Sequence, residues 1–204
     1  DKLGGRFSAR YDLNDNFSIG TQAERISHRT PARALKHGIT ANSAEANLQW
    51  QKNERTRADF SYSRTHFSDG NRRSEFSLTG EQTLWSSHKT QVNAQAGIYY
   101  GANKKLDTPY YNPQKTVDVL PALNINNVIY ENYSTNLSQQ FTAGAGSAWE
   151  KNHGSAPVTQ VSYGQRFEWN DKGSVGAKVN WVKRPYDGKR EHNLGIELDM
   201  TLRF

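Results

Sequence analysis

Acidic side chains in this chain recur on one side of a period-two pattern, and that placement gives them a collective chemistry. Asp12, Glu24, Glu45, Asp59, Glu75, Glu81, Asp118, Glu168, Glu191, Glu197 and Asp199 all fall on the polar side of alternating segments. The bases on the same side are Arg6, Arg10, Arg55, Arg57, Arg166, Lys178 and Arg203, so carboxylates exceed them by four. The whole chain carries the opposite sign, +6. The surplus bases fall in connections: Arg29, Arg33, Lys36, Arg72, Arg73, Lys104, Lys105, Lys183, Arg184, Lys189 and Arg190. An acidic polar face attracts ammonium groups, through exposed contacts worth about 0–1 kcal/mol each. Any single carboxylate is expected to pair with an arginine of the same face and stiffen the structure. The collective sign points to function.

No catalytic constellation accompanies these residues. His28, His37 and His153 fall in connections, His88 in a tight turn, and His66 and His192 near the ends of alternating segments. Ser63 and Ser68 lie near His66, but hydroxyls are abundant throughout the chain. Neither a Gly-x-Ser-x-Gly elbow nor a His-Glu-x-x-His motif occurs. There is no cysteine, so no disulfide frame or thiolate metal site can form. The expectation is a non-enzyme that needs no cofactor or metal. A hydrolase site built at a rim around His66 and His192 is the enzymatic alternative. Basic charge can indicate nucleic acid, but no module of interleaved aromatic and basic residues is present.

The segments that must carry these groups are strands. Phe7, Ala9, Tyr11 and Leu13 alternate with Arg6, Ser8, Arg10 and Asp12; Asn14-Asp15-Asn16 then turns the chain. Ile19 and Ala23, then Ala44 to Trp50, Ala58 to Tyr62, Phe76, Leu78 and Leu84, and Val92 to Ile98 repeat the rhythm. Val117 to Ile125 follows, with Pro121 predicting a bulge or local kink. Leu137 to Trp149, Val161 to Trp169, Val175 to Trp181 and His192 to Phe204 complete eleven strands. Tight turns alternate with longer connections at His28 to Ile39, Ser68 to Asn71, Ala102 to Pro113, Lys151 to Pro157 and Arg184 to Arg190. An outer-membrane barrel alternates short periplasmic turns with longer external loops in this way.

Composition agrees once the averaging is understood. The 204 residues are only 34% hydrophobic, with mean hydropathy -0.90 and no apolar run near the roughly 18 residues of a spanning helix. Lipid-facing and lumen-facing residues cancel in any hydropathy window over a barrel strand. Ten Tyr and five Trp are too many for a disordered chain. Trp50 and Trp169 fall at the short-turn end and Trp149 and Trp181 toward the other, as interfacial girdles require. The alternating last strand ending on Phe204 resembles the terminal strand of a bacterial outer-membrane barrel. A soluble β-sandwich could also end so, but nothing in it requires coherent short and long connections. Any secretion leader would lie upstream of Asp1. Eleven is odd, and the first strand already runs toward the short-turn side, so residues 1–204 are expected to supply part of a larger barrel.

Three stretches carry a resemblance: GRFSARYDLNDNFSIG, NNVIYENYSTNLSQQFTAGAG and WNDKGSVGAKVNWVKRPYDGKREHNLGIELDMTLRF. They resemble the carboxy-terminal porin domain of poly-β-1,6-N-acetyl-D-glucosamine exporters of Gram-negative biofilm formers, across the whole chain. The resemblance implies an all-β, antiparallel, sixteen-stranded transmembrane barrel, with upstream strands and a periplasmic repeat domain outside this sequence. It implies an outer-membrane location and export of a partly deacetylated polysaccharide. A periplasmic deacetylase and an inner-membrane synthase would supply it. Asp12, Glu24, Glu45, Asp59, Glu75, Glu81, Asp118, Glu197 and Asp199 would then line the path, and external basic residues would meet lipopolysaccharide phosphates. Cellulose and alginate exporters, and a general diffusion porin, remain alternatives.

Overall fold

The computed structural model describes residues 3–170, 172–186 and 188–203. They form one antiparallel sheet of eleven strands joined in sequence order. The strands are β1 (Gly5–Asn14), β2 (Phe17–Arg25), β3 (Ala41–Asn53), β4 (Thr56–Phe67), β5 (Arg72–Ser86), β6 (Thr90–Asn103), β7 (Lys115–Asn132), β8 (Thr135–Glu150), β9 (Gly154–Trp169), β10 (Gly173–Tyr186) and β11 (Lys189–Leu202). One short helix, α1 (Ala32–Lys36), interrupts the connection between β2 and β3. Among the described residues β1 and β11 each pair on one side only. No helix is long and apolar enough to cross a membrane, which says nothing of a β-barrel. Phe204, and Asp171 of the β9–β10 turn, lie outside the described residues.

Burial is inverted relative to a soluble domain. Outward on interior strands, Ile98, Leu123, Phe141 and Val179 are 42–49% exposed. Ser18, Ser63, Asn93, Asn124 and Ser162 are buried on the opposite, concave side. The only buried hydrophobic cluster among the described residues lies at the long-connection end of the sheet, where Ala34 and Ile39 of the β2–β3 connection meet Ala41, Phe67 and Tyr110. Amides in hydrocarbon have no water to bond, so the sheet itself must satisfy them, and its apolar face is left for lipid.

Registers confirm the two faces and correct details. Extra residues enter at Leu13, Lys52, Leu84 and Ile129, all beside short turns. The one at Leu84 brings Trp85, not Leu84, opposite the outward Val92. Pro121 causes no register change. It pairs with Ala96, while the β7–β8 ladder skips Leu120 and Pro121 and resumes in step at Ala122↔Gly144. The expected long connections at 151–157 and 184–190 are instead tight, because β9 starts at Gly154, β10 reaches Tyr186 and β11 starts at Lys189. Left-handed backbone at Asn152, Gly154 and Gly188 makes those reversals possible.

Gly146 is required where β8 passes the proline: a Cβ there would overlap the Val119 carbonyl oxygen, whereas one on Gly80 would meet open space. Gly146→Val is therefore expected to destabilise the barrel by about 1–3 kcal/mol, and Gly80→Val to leave it unchanged. The urea midpoint of each variant in detergent or lipid checks this.

Candidate functional site

The concave face collects the acidic residues that the sequence placed on one side. Cross-strand partners share a face, so Arg6↔Glu24, Asp12↔Ser18, Gln22↔Glu45, Gln49↔Asp59, Ser63↔Glu75, Arg57↔Glu81, Tyr99↔Asp118, Lys178↔Glu197 and Gly176↔Asp199 all point inward. The structure brings all nine candidate carboxylates to one curved surface. It also separates them into neighbourhoods.

The most connected neighbourhood is built by the β2–β3 connection. Ile26, in left-handed backbone, reverses the chain. Ser27 and His28 then bind Glu24 at 2.7 Å each, and the Ser27 amide donates to Ala41. This anchors Arg29 over the lumen. Its guanidinium pairs with Glu45 and with Glu75 at 3.3 Å, and donates to Ser63 Oγ at 3.2 Å. Glu75 also accepts from Ser63 Oγ and, at 2.6 Å, from the Tyr99 hydroxyl.

A second neighbourhood lies under the β6–β7 connection, residues 104–114. Arg184 reaches across the concavity from β10 to Asp118 on β7 at 2.7 Å. Tyr111 donates to Glu150 and packs edge-on to Tyr186 at 4.9 Å between ring centroids. Arg73 donates to the Tyr111 carbonyl and to Asn103. Tyr110 stacks on Phe67 and accepts from Asn71, and burial there pushes its phenol above the ordinary range, so it stays neutral. A cavity opens below, lined among others by Gln95, Tyr99, Thr116, Asp118, Gln160 and Arg184.

Toward the short-turn end the pairs are simpler and wetter. Arg10 meets Asp12 at 3.2 Å, Arg57 meets Glu81 at 3.2 Å, and Arg166 meets Asp199 at 2.6 Å. Asn180 donates to Glu197 at 3.3 Å. Asp59 has no hydrogen-bond or ion-pair partner among the described residues. Most of the carboxylates therefore do pair with arginines; the pairs at Asp12 and Asp199 are exposed and contribute little, whereas Glu24, Glu45, Glu75, Glu81 and Asp118 are largely covered.

Sequence reasoning misplaced several cations. Arg73 and Arg184 belong to strands and face inward, and Arg29 enters the lumen from its connection. Arg72, Lys183, Lys189 and Arg190 are likewise strand residues, because the strands are longer than the alternation alone indicated. Arg55 sits in the β3–β4 turn and not on the polar face. Glu150, buried at 1% exposure, is an inward acid that was missed. With these moves the carboxylate excess of the lumen falls from four to three and keeps its sign. Parity carried on from Glu75 and from Lys178 would have found Arg73 and Arg184; no local signal reveals that a connection folds inward.

The residues raised for a hydrolase at the rim are not brought together. His66 and His192 point outward on β4 and β11, paired with Asn42 and Lys183, whereas Ser63 faces the lumen. No group of three or more potential metal ligands occurs among the described residues.

Comparison with known proteins follows the same line. The chain is 49% identical over 203 residues to the poly-beta-1,6-N-acetyl-D-glucosamine export proteins of Escherichia coli strain K12 and of Escherichia coli O157:H7, spanning 25% of the length of each. A solved structure titled bacterial polysaccharide outer membrane secretin superposes with TM-score 0.97 at 49% identity, covering all of this chain and 70% of that one. The model of the PgaA membrane beta barrel domain matches residues 1–204, and the chain, an antiparallel barrel sheet of the outer membrane, belongs to that family.

Proposed function

We propose that this chain forms the carboxy-terminal eleven strands of a sixteen-stranded outer-membrane porin that exports partly deacetylated poly-β-1,6-N-acetyl-D-glucosamine for biofilm formation. Upstream strands close the barrel against β1 and β11, and a periplasmic repeat domain precedes them. The observation that carries the reading is the arginine-paired, net-acidic concave face, supported by the name of relatives at 49% identity. Glucosammonium units exchange for arginines at carboxylates where either partner is weakly held. Asn, Gln, Ser and Thr of the same face exchange hydrogen bonds with sugar hydroxyls. Many weak stations let a polymer slide where one tight station would stall it.

Asp12, Glu24, Glu45, Asp59, Glu75, Glu81, Asp118, Glu197 and Asp199 are the stations in this proposal. The barrel acts as a conduit without chemistry of its own. A deacetylase in the periplasm sets the charge of the polymer and an inner-membrane synthase feeds it. An alginate-type cargo is disfavoured, because its carboxylates would be repelled by this face. A general diffusion porin is disfavoured too, because the 26–40 and 104–114 connections both reach into the lumen. The long-connection end faces outward in this arrangement, where its exposed bases meet lipopolysaccharide.

Deleting the protein should remove surface glucosamine polymer on chemical analysis. In the intact protein, Glu45→Gln, Asp59→Asn, Glu81→Gln and Glu197→Gln together should cut export roughly fivefold to tenfold with folding preserved. Export of the polymer at the parental level would refute the electrostatic part. Arg29→Ala should release the β2–β3 connection from Glu45 and Glu75. Single-channel conductance in planar bilayers should then rise at least about twofold, and block by glucosamine oligomers should strengthen because two lumen carboxylates lose their internal cation.

A further inference from the structure

Arginines of the long-connection end behave differently on the two faces. Inside, Arg6, Arg29 and Arg184 are ion-paired, and Arg73 donates to Asn103 and Tyr111. Outside, the registers set Arg25, Asn42, His66 and Arg72 in one row across β2 to β5. Arg64 lies one row nearer the membrane centre, between Ala44 and Ser74. The side chains of Arg25, Arg64, His66 and Arg72 are exposed and form no hydrogen bond or ion pair with any described residue.

Three features say what covers them. First, position: the next row inward is Thr21, Ala46, Tyr62, Phe76 and Tyr100, where the aromatic and apolar band begins. The cations therefore stand at the depth of lipid headgroups, on the lipid side of the wall. Second, sign: no carboxylate faces outward among the described residues in the outer half of β1 to β6, and Asp69 in the β4–β5 connection is held by the Asn71 amide and the Tyr110 hydroxyl. Third, shape: a groove on this face is lined by Phe7, Ala23, Ala44 and Arg64 in one row and by Arg25 and His66 in the next row toward the rim, so apolar side chains and cations share it. With strands about 4.8 Å apart, Arg25 and Arg72 flank a patch wide enough for two phosphates.

We propose that this face binds a phosphorylated glycolipid of the outer leaflet. Arg25, Arg64 and Arg72, with His66, hold its phosphates; Phe7, Ala23 and Ala44 carry its acyl chains. The proposal rests on the membrane orientation given above and is independent of which polymer is exported. Planar guanidinium groups suit phosphate oxygens through paired, charge-assisted hydrogen bonds.

The test uses the full-length protein in neutral detergent, titrated with bis-phosphorylated lipid A and read by native mass spectrometry. Arg25→Gln, Arg64→Gln and Arg72→Gln combined should weaken binding roughly tenfold to a hundredfold. Each single change should weaken it several-fold, which keeps the test open if the triple variant fails to fold. Lys52→Gln with Lys89→Gln, at the short-turn end, should have no effect. Dephosphorylated lipid A should bind weakly to the parent protein, and inorganic phosphate alone should neither bind nor compete at millimolar levels. Equal lipid A binding by parent and arginine variants, or an equal loss in the Lys52 and Lys89 variant, would overturn the site. Lys36→Cys labelling by an impermeant maleimide on whole cells tests orientation separately. Absent labelling would overturn the orientation and the proposal with it, whereas labelling with unchanged lipid A binding would overturn the site alone.

Discussion

A peptide group inside a bilayer can bond only to another peptide group, and this requirement organises the whole molecule. Each interior strand from β2 to β10 pairs on both sides. An unpaired amide in hydrocarbon costs several kcal/mol in order of magnitude, so the ladder comes first and side chains are arranged around it. That relieves the sheet of needing a core between two protein layers. Its apolar face can be exposed and its polar face buried, as Leu123 and Ser63 illustrate at 49% and 2% exposure. The same requirement leaves β1 and β11 in need of partners, which is why the proposed barrel extends beyond this chain.

The lumen inherits a different constraint. Where both partners are exposed, an Arg10–Asp12 or Arg166–Asp199 pair gains little over two hydrated ions. In the proposed export an ammonium group would replace such an arginine at almost no net cost, the displaced guanidinium being hydrated instead. Glu75 is another matter: Arg29, Ser63 and Tyr99 all bond it, from a connection and two strands. The acidic face therefore combines exposed, lightly held carboxylates with firmly held ones, since Glu24, bonded by Arg6, Gln22, Ser27 and His28, is as fixed as Glu75. Sign alone could not distinguish them, because the difference lies in how many neighbours converge on each carboxylate.

What was legible in the sequence is what depends on parity and turn chemistry. Period two placed Glu45, Asp59 and Glu197 on one face because no register shift falls near them in their strands. Asn14-Asp15-Asn16 and Lys52-Asn53-Glu54 marked reversals because those residues tolerate tight turns. Reading failed where step was lost or where distance along the chain stopped being a guide. The bulge at Leu84 shifts Trp85 outward, and nothing in a hydropathy pattern signals an inserted residue. Arg29 lies 46 positions from Glu75, and their contact depends on a backbone reversal at Ile26 that its residue type disfavours. The hairpins joining β8 to β9 and β10 to β11 were obscured because strands that outgrow the membrane carry polar residues on both faces, as loops do.

One lipid-side feature sharpens the underlying rule. Thr90, Asn127, Gln139 and Gln165 occupy a single outward row, with apolar Ile125 and Phe141 on one side and Leu137 and Phe167 on the other. A strict apolar-out pattern forbids this. The groups satisfy one another: Asn127 donates to Thr90 at 2.6 Å, Gln139 to Asn127 at 3.4 Å, Tyr163 to Gln139 at 3.1 Å and Gln165 to Tyr163 at 2.7 Å. A hydrogen-bonded chain of side chains does across the surface what the backbone ladder does within it. The bilayer thus selects against unpaired polarity and not against polarity itself. By the same measure the unpartnered arginines at the outer rim are conspicuous, because there the polar groups have no protein partner and the anions of the leaflet are within reach.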